Sequence, residues 1–137
     1  MDLSAIKPGL IGSAELLVGE QHTAPSIGSG QVRVLATPVM INLMEAAALD
    51  AAEGLLPDGH QSLGTHLDVS HVAATPVGMT VCATAEVTAV QGNKIVFRVA
   101  AHDELDLIGE GSHQRVVVDV ARFDRRVQQK LKRGPAS

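Results

Sequence analysis

Glu45 is a carboxylate set in the apolar run Val39 to Ala52, VMINLMEAAALDAA, where only Asn42 and Asp50 are also polar. Taking an ionised carboxylate out of water costs several kcal/mol unless it is paired, so a group kept there has either a structural partner or a chemical task. The spacing Asn42-Leu43-Met44-Glu45 also fits a capping box, with Glu45 reaching back to the Asn42 amide if the helix begins at that point. Both readings stand. His71 falls on the apolar face of an alternating stretch, where a histidine bonded to a backbone group is the commoner use. An inward histidine facing an inward glutamate would supply a proton-transfer group together with an acid or nucleophile, the minimum for acyl transfer or dehydration. Thr37 precedes Pro38. That pair reads as a helix cap followed by proline, or as a hydroxyl at a helix start, where amides and the helix dipole favour developing negative charge. Eight helical residues rise about 12 Å, so Thr37 at a cap cannot touch Glu45. Their cooperation would need the helix to begin nearer Asn42, with the Thr37 segment folded over its start.

Other chemistries find less support. His66, Asp68 and His71 are ligand-type residues in a short span, but on a regular strand His66 and Asp68 share one face and His71 takes the other, so no metal site is expected. Gly109-Glu110-Gly111 lacks the third glycine of a dinucleotide loop, and no Gly-x-Ser-x-Gly elbow occurs; no cofactor is expected.

The elements that would position these residues follow from periodicity. Gly12 to Val18 reads as a strand, followed by a glycine-rich loop. Val39 to Ala52 reads as a helix buried on all sides, which a curved sheet could surround. Leu63 to Ala73 alternates with its odd positions inward, and Thr75 to Gly78 turns into a second strand with Met79, Val81, Ala83, Ala85 and Val87 inward. Gln91-Gly92-Asn93 leads to a third, with Ile95, Phe97, Val99 and Ala101 inward. Leu107 to Val120 forms the last, with a bulge expected at Gly109 and Gly111. The order strand, helix, antiparallel meander makes an α+β domain over residues 1–121. Residues 122–137 form a basic tail expected to be helical as far as Gly134-Pro135.

Composition narrows the classes further. The chain has 137 residues, of which only Phe97 and Phe123 are aromatic, so stacking platforms for single-stranded nucleic acid and aromatic cages are absent. One cysteine, Cys82, excludes an intrachain disulfide. No apolar run reaches the length of a membrane span, roughly 18 residues. A cytoplasmic protein is expected, without a membrane partner. Residues 1–121 carry five Lys/Arg against fourteen Asp/Glu, whereas 122–137 carry six against one. The tail could therefore meet phosphates, of nucleic acid or of an anionic cofactor such as coenzyme A, and the acidic body makes nucleic acid the poorer choice. The dense apolar content from Val32 to Val120 suggests burial against a second subunit.

Several segments resemble the fluoroacetyl-CoA thioesterase family: Ala36-Thr37-Pro38-Val39-Met40-Ile41-Asn42-Leu43-Met44-Glu45, Ser62-Leu63-Gly64-Thr65, His71 to Gly78, Ala101-His102-Asp103 and Ile108 to Arg115. The resemblance covers about residues 33 to 121 and implies a hotdog fold, a long helix wrapped by a curved antiparallel sheet, in a homodimer. It implies hydrolysis of an acyl-CoA thioester with Thr37, Glu45 and His71 as the catalytic set. Gly64 would lie by the acyl group, and Arg115 would contact substrate. A hotdog enoyl-CoA hydratase or dehydratase, or a non-catalytic acyl-CoA binder, is the alternative. The family's aromatic lid before the catalytic helix has no counterpart, because the matching loop here is Ile27-Gly28-Ser29-Gly30-Gln31. A glycine-lined entrance would suit a different or broader acyl group than fluoroacetyl.

Overall fold

The computed structural model describes residues 1–135. Positions 136 and 137 of the basic tail lie outside the described residues. Strand β1 (Ile11–Leu17) leads through a 3-10 turn, Glu20–His22, and the short helix α1 (Ala24–Ile27) to the long helix α2 (Thr37–Ala52). Strands β2 (His60–His71), β3 (Thr80–Gln91), β4 (Lys94–His102) and β5 (Leu107–Asp119) follow, and helix α3 (Val120–Lys132) comes last. All pairings are antiparallel, in the order β1-β3-β4-β5-β2, so β1 and β2 are the two edges of one sheet.

Helix α2 begins at Thr37, and the reason is local. Ala36 is extended, its carbonyl accepts the amides of Val39 and Met40 at 3.1 Å each, and Pro38 brings a pre-set φ to the first turn. This corrects two expectations. The helix does not start near Asn42, so the Asn42–Glu45 capping box does not form; and Thr37 lies inside the first turn, leaving its hydroxyl free for another partner. Met40, Leu43, Met44, Ala47, Ala48 and Ala51 are buried, and the helix packs chiefly on β1, β3 and β4. Strand β1 crosses it at Gly12, where a Cβ would collide with the backbone of Ala47 and Ala51. The helix is not buried all round: Pro38, Asn42, Ala46 and Leu49 form an exposed stripe on its other side.

Strands β3 and β4 bury Val81, Ala83, Ala85 and Val87 and Ile95, Phe97, Val99 and Ala101, the faces their alternation predicts. Strand β2 departs from its expected pattern. Its register with β5 slips between Gly64 and His66, so Thr65 is an extra residue. Before the bulge the even positions Ser62 and Gly64 stand opposite Val117 and Arg115 on the inner face; after it the odd positions Leu67, Val69 and His71 take that face, opposite His113, Gly111 and Gly109. Leu63 therefore points outward, contrary to the alternation reading, while His71 points inward as expected. The slip in β5 occurs beside Gly109, between the pairs Ala101–Gly109 and His102–Leu107. Helix α3, capped by the Asp119 carboxylate on the Arg122 amide at 3.1 Å, has no buried residue. The first residues join the core through Leu3 and Ile6, which carry no periodic signal in the sequence.

Candidate active site

At the start of α2, Thr37 Oγ1 lies 2.7 Å from His71 Nδ1. The proline-led first turn aims the hydroxyl, and the post-bulge register of β2 turns the imidazole inward to meet it. The second nitrogen of His71, Nε2, is buried with no hydrogen-bond partner among the described residues. Burial lowers the His71 pKa below the ordinary 6.5, opposed in part by the Ala73 backbone, so at neutral pH the ring is unprotonated and free to accept a proton. Both side chains line a cavity of about 360 Å³ with Ser29, Gly30, Gln31 and Val72. The loop over it is tied down by Ala24 N to Val34 O and Leu35 N to Thr75 O, each 2.9 Å. Aliphatic residues with Ser29, Gly30 and Gln31 line this entrance, and among the described residues no Phe, Tyr or Trp does. A larger concavity of about 920 Å³ lies on the outer face of the sheet, among Asp68, Glu86, Arg98 and Glu110, and contains neither Thr37 nor His71.

A second group gathers further along α2. The Glu45 carboxylate, 33% exposed, accepts from Arg115 Nη1 at 3.2 Å through Oε2. Arg115 is buried and held on several sides: Nε donates to Ser62 Oγ at 2.8 Å, Nη2 to Ser62 O at 3.2 Å, and Nη1 to His113 Nε2 at 3.1 Å. Ser62 is fixed in turn by Glu53, its amide donating to Oε2 at 3.0 Å and its hydroxyl to Oε1 at 2.6 Å. His113 donates from Nδ1 to His66 O at 2.9 Å, which leaves Nε2 as the acceptor for Arg115 and defines a neutral tautomer. Gly64 closes the group. A Cβ there would lie 2.6 Å from Glu45 Oε2, so the carboxylate rests against bare backbone.

The five expected site residues thus fall into two groups, Thr37 with His71 and Glu45 with Gly64 and Arg115. Their centres are separated by about 12 Å of helix rise. Ser62, Glu53 and His113 escaped the sequence reading. His113 was legible in principle, since it alternates with Arg115 and Val117 on one face; the pairing of Ser62 with Glu53 had no sequence signal.

Buried, neutral histidines leave a signature in stability. Burial lowers the pKa of both His71 and His113, and for His113 the adjacent Arg115 charge adds to the effect. The unfolded chain then binds more protons than the folded one below the ordinary histidine value, so the stabilisation is complete above about pH 6.5 and is lost as pH falls towards the folded values. The urea midpoint should drop between about pH 7.5 and 5. His113→Gln should flatten that drop; an unchanged slope would contradict this account.

A family profile described as fluoroacetyl-CoA-specific thioesterase matches residues 18–121. The chain belongs to this family. The fluoroacetyl-CoA thioesterase of Streptantibioticus cattleyicolor is 46% identical over 101 residues, covering 74% of this chain and 73% of the relative. A solved variant of a fluoroacetyl-CoA thioesterase in complex with fluoroacetate superimposes with a TM-score of 0.84 at 36% identity, over 90% of this chain and 98% of that one. A further solved form of that relative holds acetyl-CoA. A hot-dog-like protein from Thermanaerovibrio acidaminovorans, 24% identical, has a TM-score of 0.87 over 99% of this chain and all of its own, which establishes the hotdog fold alone. Membership of the fluoroacetyl-CoA thioesterase family covers every residue of both side-chain groups and stops where α3 begins.

Proposed function

We propose that this chain hydrolyses the thioester of a small acyl-CoA to a carboxylate and free coenzyme A. The observation that carries the reading is the 2.7 Å contact between Thr37 Oγ1 and His71 Nδ1 at the foot of the loop-covered cavity. With its proton on Nε2, the neutral imidazole accepts the Thr37 proton at Nδ1, or that of a water beside it, as a nucleophile adds to the thioester carbonyl. Val39 and Met40 already donate to the Ala36 carbonyl and Pro38 has no N–H, which leaves the Thr37 amide, at the positive end of α2, to meet the oxyanion. Glu45 supplies the carboxylate of the set as nucleophile or water-directing base. Arg115 is a positioning residue, since its guanidinium holds Glu45 in place.

We infer further that the working unit is a homodimer. Strand β2 is an edge with an unpaired side. Leu67, on its inner face, is 38% exposed. Antiparallel pairing of two β2 strands about a two-fold axis near Leu67 would bring the inward His71 of one protomer towards the Gly64 end of the other strand. The Thr37–His71 pair then meets the partner's Glu45. The exposed stripe of α2 becomes the surface that the second chain covers. Among the described residues no helix is long and apolar enough to cross a membrane. The free, half-buried Cys82 suits a reducing compartment such as the cytoplasm.

The test is release of free thiol across acetyl-, fluoroacetyl-, propionyl- and butyryl-CoA, with crotonyl-CoA hydration followed in parallel. Thiol release from several acyl groups is expected, because among the described residues no Phe, Tyr or Trp side chain lines the entrance to favour one of them. The acid limb of kcat/KM should have its midpoint below 6.5, following His71. Hydration of crotonyl-CoA without thiol release would make the protein a hydratase instead.

A further inference from the structure

We propose that the arginine-lined cavity between the β3–β4 hairpin and α3 binds the phosphates of the substrate's nucleotide, an adenosine carrying a 3′-phosphate and a 5′-diphosphate. The inference rests on the acyl-CoA reading above and extends it to residues outside the matched family segment. Arg122, Arg125 and Arg126 stand at i, i+3 and i+4 on one face of α3. With Asn93, Asp119 and Gln129 they line a cavity of about 460 Å³. Among the described residues none of these guanidinium groups forms an ion pair, although residues 1–121 are rich in carboxylates. The one acid in the cavity, Asp119, caps the helix through the Arg122 amide. Its pKa is lowered, chiefly by that backbone bond, so one negative charge faces three positive ones.

The placement works against the helix itself. Cations in its first turns oppose the macrodipole, and like charges three and four residues apart repel each other. A bound polyanion relieves both. The planar guanidinium fork suits phosphate oxygens. The Arg126 group is supported by the Phe123 ring, 5.8 Å from its centroid. The distance to the chemistry is right for a substrate with a long arm. Val117 lines the cavity, and Arg115, which holds Glu45, is two residues back on the same face of β5. Two residues of extended strand span about 7 Å. A thioester beside Glu45 and a nucleotide over α3 can therefore belong to one extended molecule.

The experiment combines binding and kinetics on the full chain. Calorimetry with adenosine 3′,5′-bisphosphate should show binding, and Arg122→Gln/Arg125→Gln/Arg126→Gln should weaken it by at least about tenfold. The same variant should raise KM for acetyl-CoA about tenfold at unchanged kcat, and leave hydrolysis of acetyl-pantetheine, which lacks the nucleotide, unaltered. Wild-type affinity for the bisphosphate in the variant, or an equal rise in KM for both substrates, overturns the proposal. So does tight binding of a single-stranded oligonucleotide in place of the bisphosphate. If the triple variant fails to fold, Arg122→Gln and Arg125→Gln singly provide the same comparison. Bisphosphate binding that the arginines control, in a protein that releases no thiol, would sink the hydrolase reading and keep the phosphate site.

Discussion

Thr37→Ala and Glu45→Ala proteins, each expected to lose about 10² to 10⁴ in kcat, should together recover about a quarter of the wild-type rate when co-expressed. The expectation follows from the rigidity of α2. The helix is continuous from Thr37 to Ala52, and His71 meets it at Thr37. Within one chain it therefore holds the Thr37–His71 pair and the Glu45 carboxylate about 12 Å apart along its axis. No rotamer closes that gap. A second chain paired along β2 would close it, since the proposed two-fold axis near Leu67 would bring each Thr37 towards its partner's Glu45. A mixed dimer then has one site with both substitutions and one with neither. Half of the dimers in an equal mixture are mixed, and half of their sites are intact. Tagging the two chains differently and purifying the mixed species should double the recovered rate per dimer. If Thr37 and Glu45 act within one chain, the mixture contains no intact site and stays as slow as its parents. His71→Ala combined with Thr37→Ala should give no recovery, since the two residues belong to the same half.

The same geometry shows what could be read from the chain and what could not. The inner faces of β3 and β4 were legible because both strands are regular and each inward residue is aliphatic or Phe97. The outward turn of Leu63 was not, because one extra residue at Thr65 reverses the alternation, and neither Gly64 nor His66 announces a bulge in isolation. Thr37 and His71 could be named from their types and positions. Their contact depended on Pro38 starting the helix earlier than the Asn42–Glu45 spacing suggested. Glu45 was conspicuous as a carboxylate among aliphatic residues, and its partner was invisible, since Arg115 lies 70 residues away on β5 and becomes a neighbour only in the assembled sheet. Local signals identified the reactive groups; the long-range register decided which of them share a site.

Gly64→Ala should leave the fold nearly as stable as before and reduce kcat by about 10²-fold or more. An added Cβ would lie 2.6 Å from Glu45 Oε2, 3.2 Å from His113 Cε1 and 3.4 Å from Arg115 Nη1. These three neighbours differ in their freedom to yield. His113 is bonded to the His66 carbonyl and stacked on Phe97, with ring centroids 6.0 Å apart, and Arg115 is gripped by Ser62. Glu45 has only the 3.2 Å bond to Arg115 and a third of its side chain in solvent, so it is the group that moves. Swinging a partly exposed carboxylate outward disturbs little packing, which keeps the thermal midpoint within a few degrees of wild type. It also withdraws the carboxylate from the position where, in the proposed dimer, the partner's Thr37–His71 pair would use it. The loss should therefore appear in kcat, with KM little changed and the arginines of α3 unaffected. Glu45→Ala in the Gly64→Ala background should add almost nothing to the loss, because both substitutions empty the same place. Wild-type kcat in Gly64→Ala would show that the carboxylate does not act from this position.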